Sequence, residues 1–166
     1  MVEKNLVIDG LELKYKGLFN IRDMLDKIDS LTKERGYKKF EKRRKEIVKT
    51  TGKEFSMELR PIKKKTEFFD LMINIRISII NLQEVEVVVD DVKKKMHQGE
   101  INMIFDAFAL TDYKARWEQT PWYFFLRLMF EKVFYKVHTD KYVSELMDDT
   151  HFIYNNIRSH LHLQRF

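Results

Sequence analysis

Leu71-Met72-Ile73-Asn74-Ile75-Arg76-Ile77-Ser78-Ile79 is the stretch on which the fold turns. Apolar side chains hold every odd position, and Asn74, Arg76 and Ser78 hold three of the four even ones. A period of two places these sets on opposite faces of a β-strand, one face buried and one wetter. Downstream, Val85, Val87 and Val89 keep alternating as far as Asp90-Asp91, a turn dipeptide. Val92 to Met96 reads as a short strand and His97-Gln98-Gly99 as another turn. Ile101, Met103, Phe105 and Ala107 then complete an antiparallel meander.

Working back from the same stretch, Phe55, Met57 and Leu59 also alternate, and Thr50-Thr51-Gly52 precedes them. Tyr37, Phe40, Arg44, Ile47 and Val48 would fit one helix face. The alternating segment after them needs a partner, however, which favours a strand and a hairpin around Gly52. Arg60-Pro61 ends that ladder, because proline donates no hydrogen bond. Nearer the N-terminus, Asp9-Gly10 between Leu6/Ile8 and Leu11/Leu13/Tyr15 reads as a hairpin turn. Asn20 is placed to cap a helix with Asp23 at its third position, and Ile21, Met24, Leu25, Ile28 and Leu31 recur at helical spacing. Gly36 stands where a left-handed C-terminal cap belongs, so Asn20 to Arg35 is a helix. Thr120-Pro121 opens a C-terminal helical region. One helix from Trp122 to Leu163 would be about 60 Å long, so a break is expected near His138-Thr139, with Thr139 capping a second helix.

The expected class is α+β, in a single domain over 1–166. It comprises an antiparallel meander of six to eight strands, one helix in the N-terminal half and a long, kinked C-terminal helix. This element order resembles the helix-grip architecture of the START and Bet v 1-like group. The resemblance rests on order alone and implies a curved sheet wrapped on a long C-terminal helix, with an apolar cavity between them. The chain differs from that group in having one helix, not two, after the first strands, and in lacking a Gly-rich loop.

Composition narrows the function classes. The 166 residues are 44% hydrophobic and 34% charged, which suits a folded domain with a soluble surface. No run of roughly 18 apolar residues is present, and Met1-Val2-Glu3-Lys4 lacks the pattern of a secretory signal. A cytoplasmic chain is therefore expected. With no cysteine, thiolate chemistry and thiolate metal sites are excluded. There is no GxxxxGK[ST], GxGxxG, GxSxG or HExxH, and no cofactor is implied.

The net charge of +5 is uneven. Lys33 to Lys65 carries fourteen Lys or Arg against five Glu, a balance of +9, which leaves the rest at −4. Lys38, Lys42, Arg43, Arg44 and Lys45 before the Gly52 turn, and Lys63, Lys64 and Lys65 after it, form a candidate phosphate-tracking ribbon. Tyr37, Phe40 and Phe55 lie close enough to offer stacking platforms. The bland counterpart is an edge strand defended by lysines, with interleaved glutamates using up the charge.

Three further groups stand out. Trp122, Phe124, Phe125, Leu128 and Phe130 belong to a segment too apolar around its circumference for one sheet face to cover. They are candidates for an apolar-ligand wall, with Ile75 opposite, or for a homodimer surface. Glu145 with Asp149, and Asp148 with His151, share helix faces at metal-compatible spacing. The apolar stripe of Val143, Leu146, Met147, Ile153 and Ile157 puts these acids on the wet side, so no metal is expected. His160 and His162 read as a frayed tail. Asp106, set among apolar neighbours, needs a cation such as Arg76 or Arg116.

The leading expectation is a non-enzymatic binding protein whose 33–65 ribbon contacts RNA or a ribonucleoprotein. The alternative is a carrier of an apolar small molecule or lipid in a helix-grip cavity. The third is an enzyme of unassigned class built around Asp106 and Arg116.

Overall fold

The computed structural model describes residues 2–38, 42–50, 52–66, 69–112 and 135–163, together with Trp122 and Phe125. The elements are β1 (Val2–Phe19), α1 (Ile21–Glu34), β2 (Lys42–Lys49), β3 (Gly52–Leu59), β4 (Ile62–Lys64), β5 (Phe69–Val89), β6 (Val92–Asp112) and α2 (Tyr135–Leu163). The six strands form one antiparallel sheet in the order β1-β6-β5-β3-β2, with β4 also beside β5. The α+β class, one helix in the N-terminal half and one long C-terminal helix are as the sequence leads one to expect.

The alternation of 71–79 builds the core. Leu71, Ile73, Ile75, Ile77 and Ile79 are all 2% exposed or less. In register beside them, Met103, Phe105 and Ala107 of β6 and Met57 and Leu59 of β3 face the same way. On that face α1 adds Met24, Ile28 and Leu31, and α2 adds Leu146, Ile153, Ile157 and Leu161. Each such side chain contributes about 1.5–3 kcal/mol by leaving water. At the start of α1 the Asn20 side chain accepts from the backbone N–H groups of Arg22 and Asp23 at 3.0 and 3.3 Å. Gly36, at φ +84°, ends the turn that follows. The β2–β3 hairpin forms around Gly52, and β3 stops at Leu59 just before Pro61.

Four expectations are corrected. First, Asp9-Gly10 is not a hairpin turn but a bulge in one continuous strand. Ile8 pairs with Ala107 and Leu11 with Phe105, so β1 carries an extra residue. Asp106 holds the bulge open: its Oδ1 accepts from the Gly10 N–H at 2.9 Å, and its Oδ2 accepts from Arg76 Nη2 at 2.7 Å. The cation the buried Asp106 needs is thus Arg76. Second, His97-Gln98-Gly99 is not a turn. It lies inside β6, and the short strands expected on both sides of Asp90-Asp91 are parts of two 21-residue strands.

These long strands bend instead of breaking. β5 bulges between Ile80 and Gln83, with Asn81 at φ +54°. A Cβ on Gly99 would meet the Ile80 carbonyl oxygen at 3.0 Å, and one on Gly52 would meet Asn81 Cα at 3.3 Å. Glycine on both flanks lets the bulge close against its neighbours. Third, α2 runs without interruption through His138 and Thr139 to Leu163, so neither the break there nor the frayed histidine tail is present. His162 instead meets the Tyr15 ring edge-on, with centroids 6.0 Å apart. Fourth, the buried stripe of α2 is rotated. Met147 is exposed, while Asp149 and Thr150 are buried.

Because the contact at Gly99 is with backbone, Gly99→Ala should destabilise the fold by about 1–3 kcal/mol, the usual cost of overpacking. Urea unfolding measures it; unchanged stability would mean that β6 does not press on the Ile80–Asn81 bulge.

Candidate functional site

The rotation of α2 decides which basic residues are free. Lys63 pairs with Leu71 in the sheet, so it shares the helix-covered face. Its Nζ meets Glu145 Oε1 at 2.6 Å and Asp149 Oδ2 at 3.1 Å. Lys65 Nζ meets the same Glu145 oxygen at 2.5 Å. The Tyr37 hydroxyl donates to Asp149 Oδ2 at 3.2 Å, and Arg35 Nη1 lies 3.7 Å from Asp149 Oδ1. The Arg35 guanidinium sits 3.7 Å from the centre of the Phe152 ring. Glu145 and Asp149 are therefore not wet acids. They pin α2 to β4 and to the exit of α1.

Protonation follows from this packing. Burial pushes the Tyr37 hydroxyl far above its ordinary range, reinforced by the charge of Asp149. For Lys63, burial works against the charge, but hydrogen bonds to Glu145 and Asp149 outweigh it and hold the ammonium above its ordinary value of 10.5. Burial likewise disfavours the Glu145 carboxylate, yet Lys63 and Lys65 bring it below its ordinary 4.5.

The remaining cations of the ribbon are distributed by the period of two. Arg43 pairs with Glu58 and Lys45 with Ser56, so both lie on the outer face of the sheet. Glu58 is held principally by Arg60, which donates two hydrogen bonds at 2.8 and 3.0 Å and keeps its carboxyl below the usual range. Arg44, between them, faces the helix side. Its guanidinium carbon lies 5.1 Å from the Phe55 ring centre, and Nη2 is 3.7 Å from Glu46. Arg43, Arg44 and Lys45 are exposed, as are Lys38, next to β2 in sequence, and Lys64, on the outer face of β4. The backbone of Lys42 is in β2, while its side chain lies outside the described residues. Of the eight candidate residues, Lys63 and Lys65 are thus half-buried and paired with the acids of α2.

On the helix side of the hairpin lies an open groove of about 880 Å³ that sequence reading did not find. Its walls are Arg44 and Phe55 from the hairpin, Leu25 and Asp26 from α1, and Gln83 and His97 from the bend of β5 and β6. His97 stacks on Phe19 with ring centroids 6.2 Å apart, and its buried Nδ1 has no hydrogen-bond partner among the described residues. Segments this far apart in the chain leave no local pattern that could have signalled the groove.

Of the aromatic candidates, Trp122 and Phe125 are helical and exposed, with rings stacked 6.1 Å apart. Phe124, Leu128 and Phe130 lie outside the described residues. Ile75, expected to line a cavity with them, is fully buried in the core. Arg116 also lies outside the described residues. Among the described residues, no group of three or more His, Asp or Glu side chains could hold a metal ion, and no helix is long and apolar enough to cross a membrane. No family model, curated protein or solved structure matches the chain.

Two outcomes test the network. Asp149→Ala strands Lys63 and Tyr37 and should cost about 3–5 kcal/mol, the scale for breaking a buried pair. A loss under about 1 kcal/mol, the range of exposed pairs, would contradict its placement. Stability should also fall at both pH extremes. The depressed Glu145 contributes above its unfolded value and loses that contribution as acid protonates it. The raised Lys63 and Tyr37 contribute below about pH 10 and lose it above, as the unfolded chain deprotonates first. Denaturant titrations across pH should show the acid limb shrink in Glu145→Gln.

Proposed function

We propose that this chain is a non-enzymatic RNA-binding protein that meets the phosphate backbone with the open edge of its sheet. The observation that carries the reading is β2. It pairs only with β3 among the described residues and holds five cations against one glutamate. Every side chain described from Arg43 to Val48 is exposed. Arg43 and Lys45 have no ion-pair partner within 4 Å among the described residues, and Arg44 has one loose contact at 3.7 Å. These cations face both sides of a single edge, which suits a polymer running along it. Phosphate binding of this kind gains its affinity from released counterions and needs no catalytic group.

On this reading the footprint is β2, flanked by Lys38 and Lys64, and not 33–65 as a whole, because Lys63 and Lys65 are paired with Glu145 and Asp149. A lysine-defended edge would carry the same residues, and binding separates the two readings.

Fluorescence anisotropy with a short structured RNA should give tight binding at low salt that weakens steeply as salt rises. Arg43→Glu/Arg44→Glu should abolish it, and the milder Arg43→Ala/Arg44→Ala should flatten the log–log salt slope by about 1.4–1.8, the share of two phosphate contacts. If wild type and the double glutamate variant bind equally, or neither binds at low salt, β2 is only a protected edge.

A further inference from the structure

The groove on the helix side of the hairpin is continuous with β2, because Arg44 belongs to both. Resting on the RNA reading above, we propose that this groove receives an unpaired nucleobase, so that the protein selects single-stranded RNA over a duplex.

Four observations carry this. The volume of about 880 Å³ falls among ligand pockets, which span about 300–1,000 Å³. The Phe55 ring holds the Arg44 guanidinium on its hairpin wall while leaving that side chain largely exposed. An arginine plane backed by an aromatic ring is a platform on which splayed-out bases stack. The groove lining also offers both kinds of hydrogen-bonding group a base edge needs. Gln83 is donor and acceptor and Glu84 is acceptor, and neither side chain has a partner among the described residues. Finally, His97, whose buried Nδ1 has no partner among the described residues, lines the groove beside Leu25 and Leu82. A paired base presents neither its faces nor its Watson–Crick edge, so a duplex is limited to the phosphate contacts of β2.

The test uses fluorescein-labelled RNA of about 12 nucleotides, within the span one small domain covers, as a single strand and as a blunt duplex. Asp26 is exposed on α1 at the groove wall, so Asp26→Trp puts an indole into the groove without touching the core. That change also removes a negative charge, so weaker binding cannot arise from charge. Asp26→Asn matches the charge and leaves the space open. Wild type should prefer the single strand. Asp26→Trp should reduce single-strand affinity about tenfold, the scale of one lost stack, without weakening duplex binding; Asp26→Asn should weaken neither. Gln83→Ala/Glu84→Ala should weaken the single strand alone, which gives a second reading independent of how the tryptophan packs.

Equal binding of both RNAs, unaffected by Asp26→Trp and by Gln83→Ala/Glu84→Ala, would overturn the base-binding groove while leaving the β2 contact standing. Failure of wild type to bind either RNA at low salt would overturn both.

Discussion

The buried Asp149 carboxylate is the point on which α1, β4 and α2 converge. It accepts from Tyr37 just beyond α1 and from Lys63 on β4, and Arg35 stands beside its other oxygen. A carboxylate this deeply placed is tolerated only where donors surround it. Once they do, the helix has one azimuth. That azimuth puts Leu146, Ile153 and Ile157 against the isoleucines of β5 and turns Met147 outward. It also ties two half-buried lysines, Lys63 and Lys65, into ion pairs with the acids of α2.

Much of the fold was legible because its signals were local. The 71–79 alternation survives as the centre of the sheet, the Asn20 cap and Gly36 bound α1 within a residue or two, and Pro61 ends β3. Misreadings came where a turn-forming residue sits in a bulge. Asp9-Gly10 and Gly99 carry the chemistry of turns, but each answers a contact from a distant strand: Asp106 for Gly10, the Ile80 carbonyl for Gly99. No spacing within the segment reports that contact. Four short strands were thus expected where two long bent ones exist.

The candidate site was legible in part for the same reason. The basic hairpin shows in composition and in the Gly52 turn, and its exposure follows from being at an edge. The fate of Lys63 and Lys65 depended on the azimuth of α2, where an apolar stripe through Met147 and one through Leu161 fit the residues about equally well. Tyr37, Asp149 and Thr150 decide between them, and polar residues in a buried stripe are what periodicity counts against. Asp106 was the exception. Its apolar neighbours marked it as a buried acid in need of a cation such as Arg76 or Arg116, and Arg76 bonds to it.

Beyond the bend at Asn81 and Gly99, the two longest strands lose their neighbours. β3 pairs with β5 only as far as Leu82, and β1 with β6 only as far as His97. The rungs from Val85–Met96 to Val89–Val92 hold each other alone among the described residues. Such a tip can open without disturbing the isoleucine core, so its opening free energy is decoupled from global unfolding. Two tiers of cooperativity are the expected consequence: the lysine-rich tip should exchange its amide hydrogens and meet proteases faster than the body it springs from.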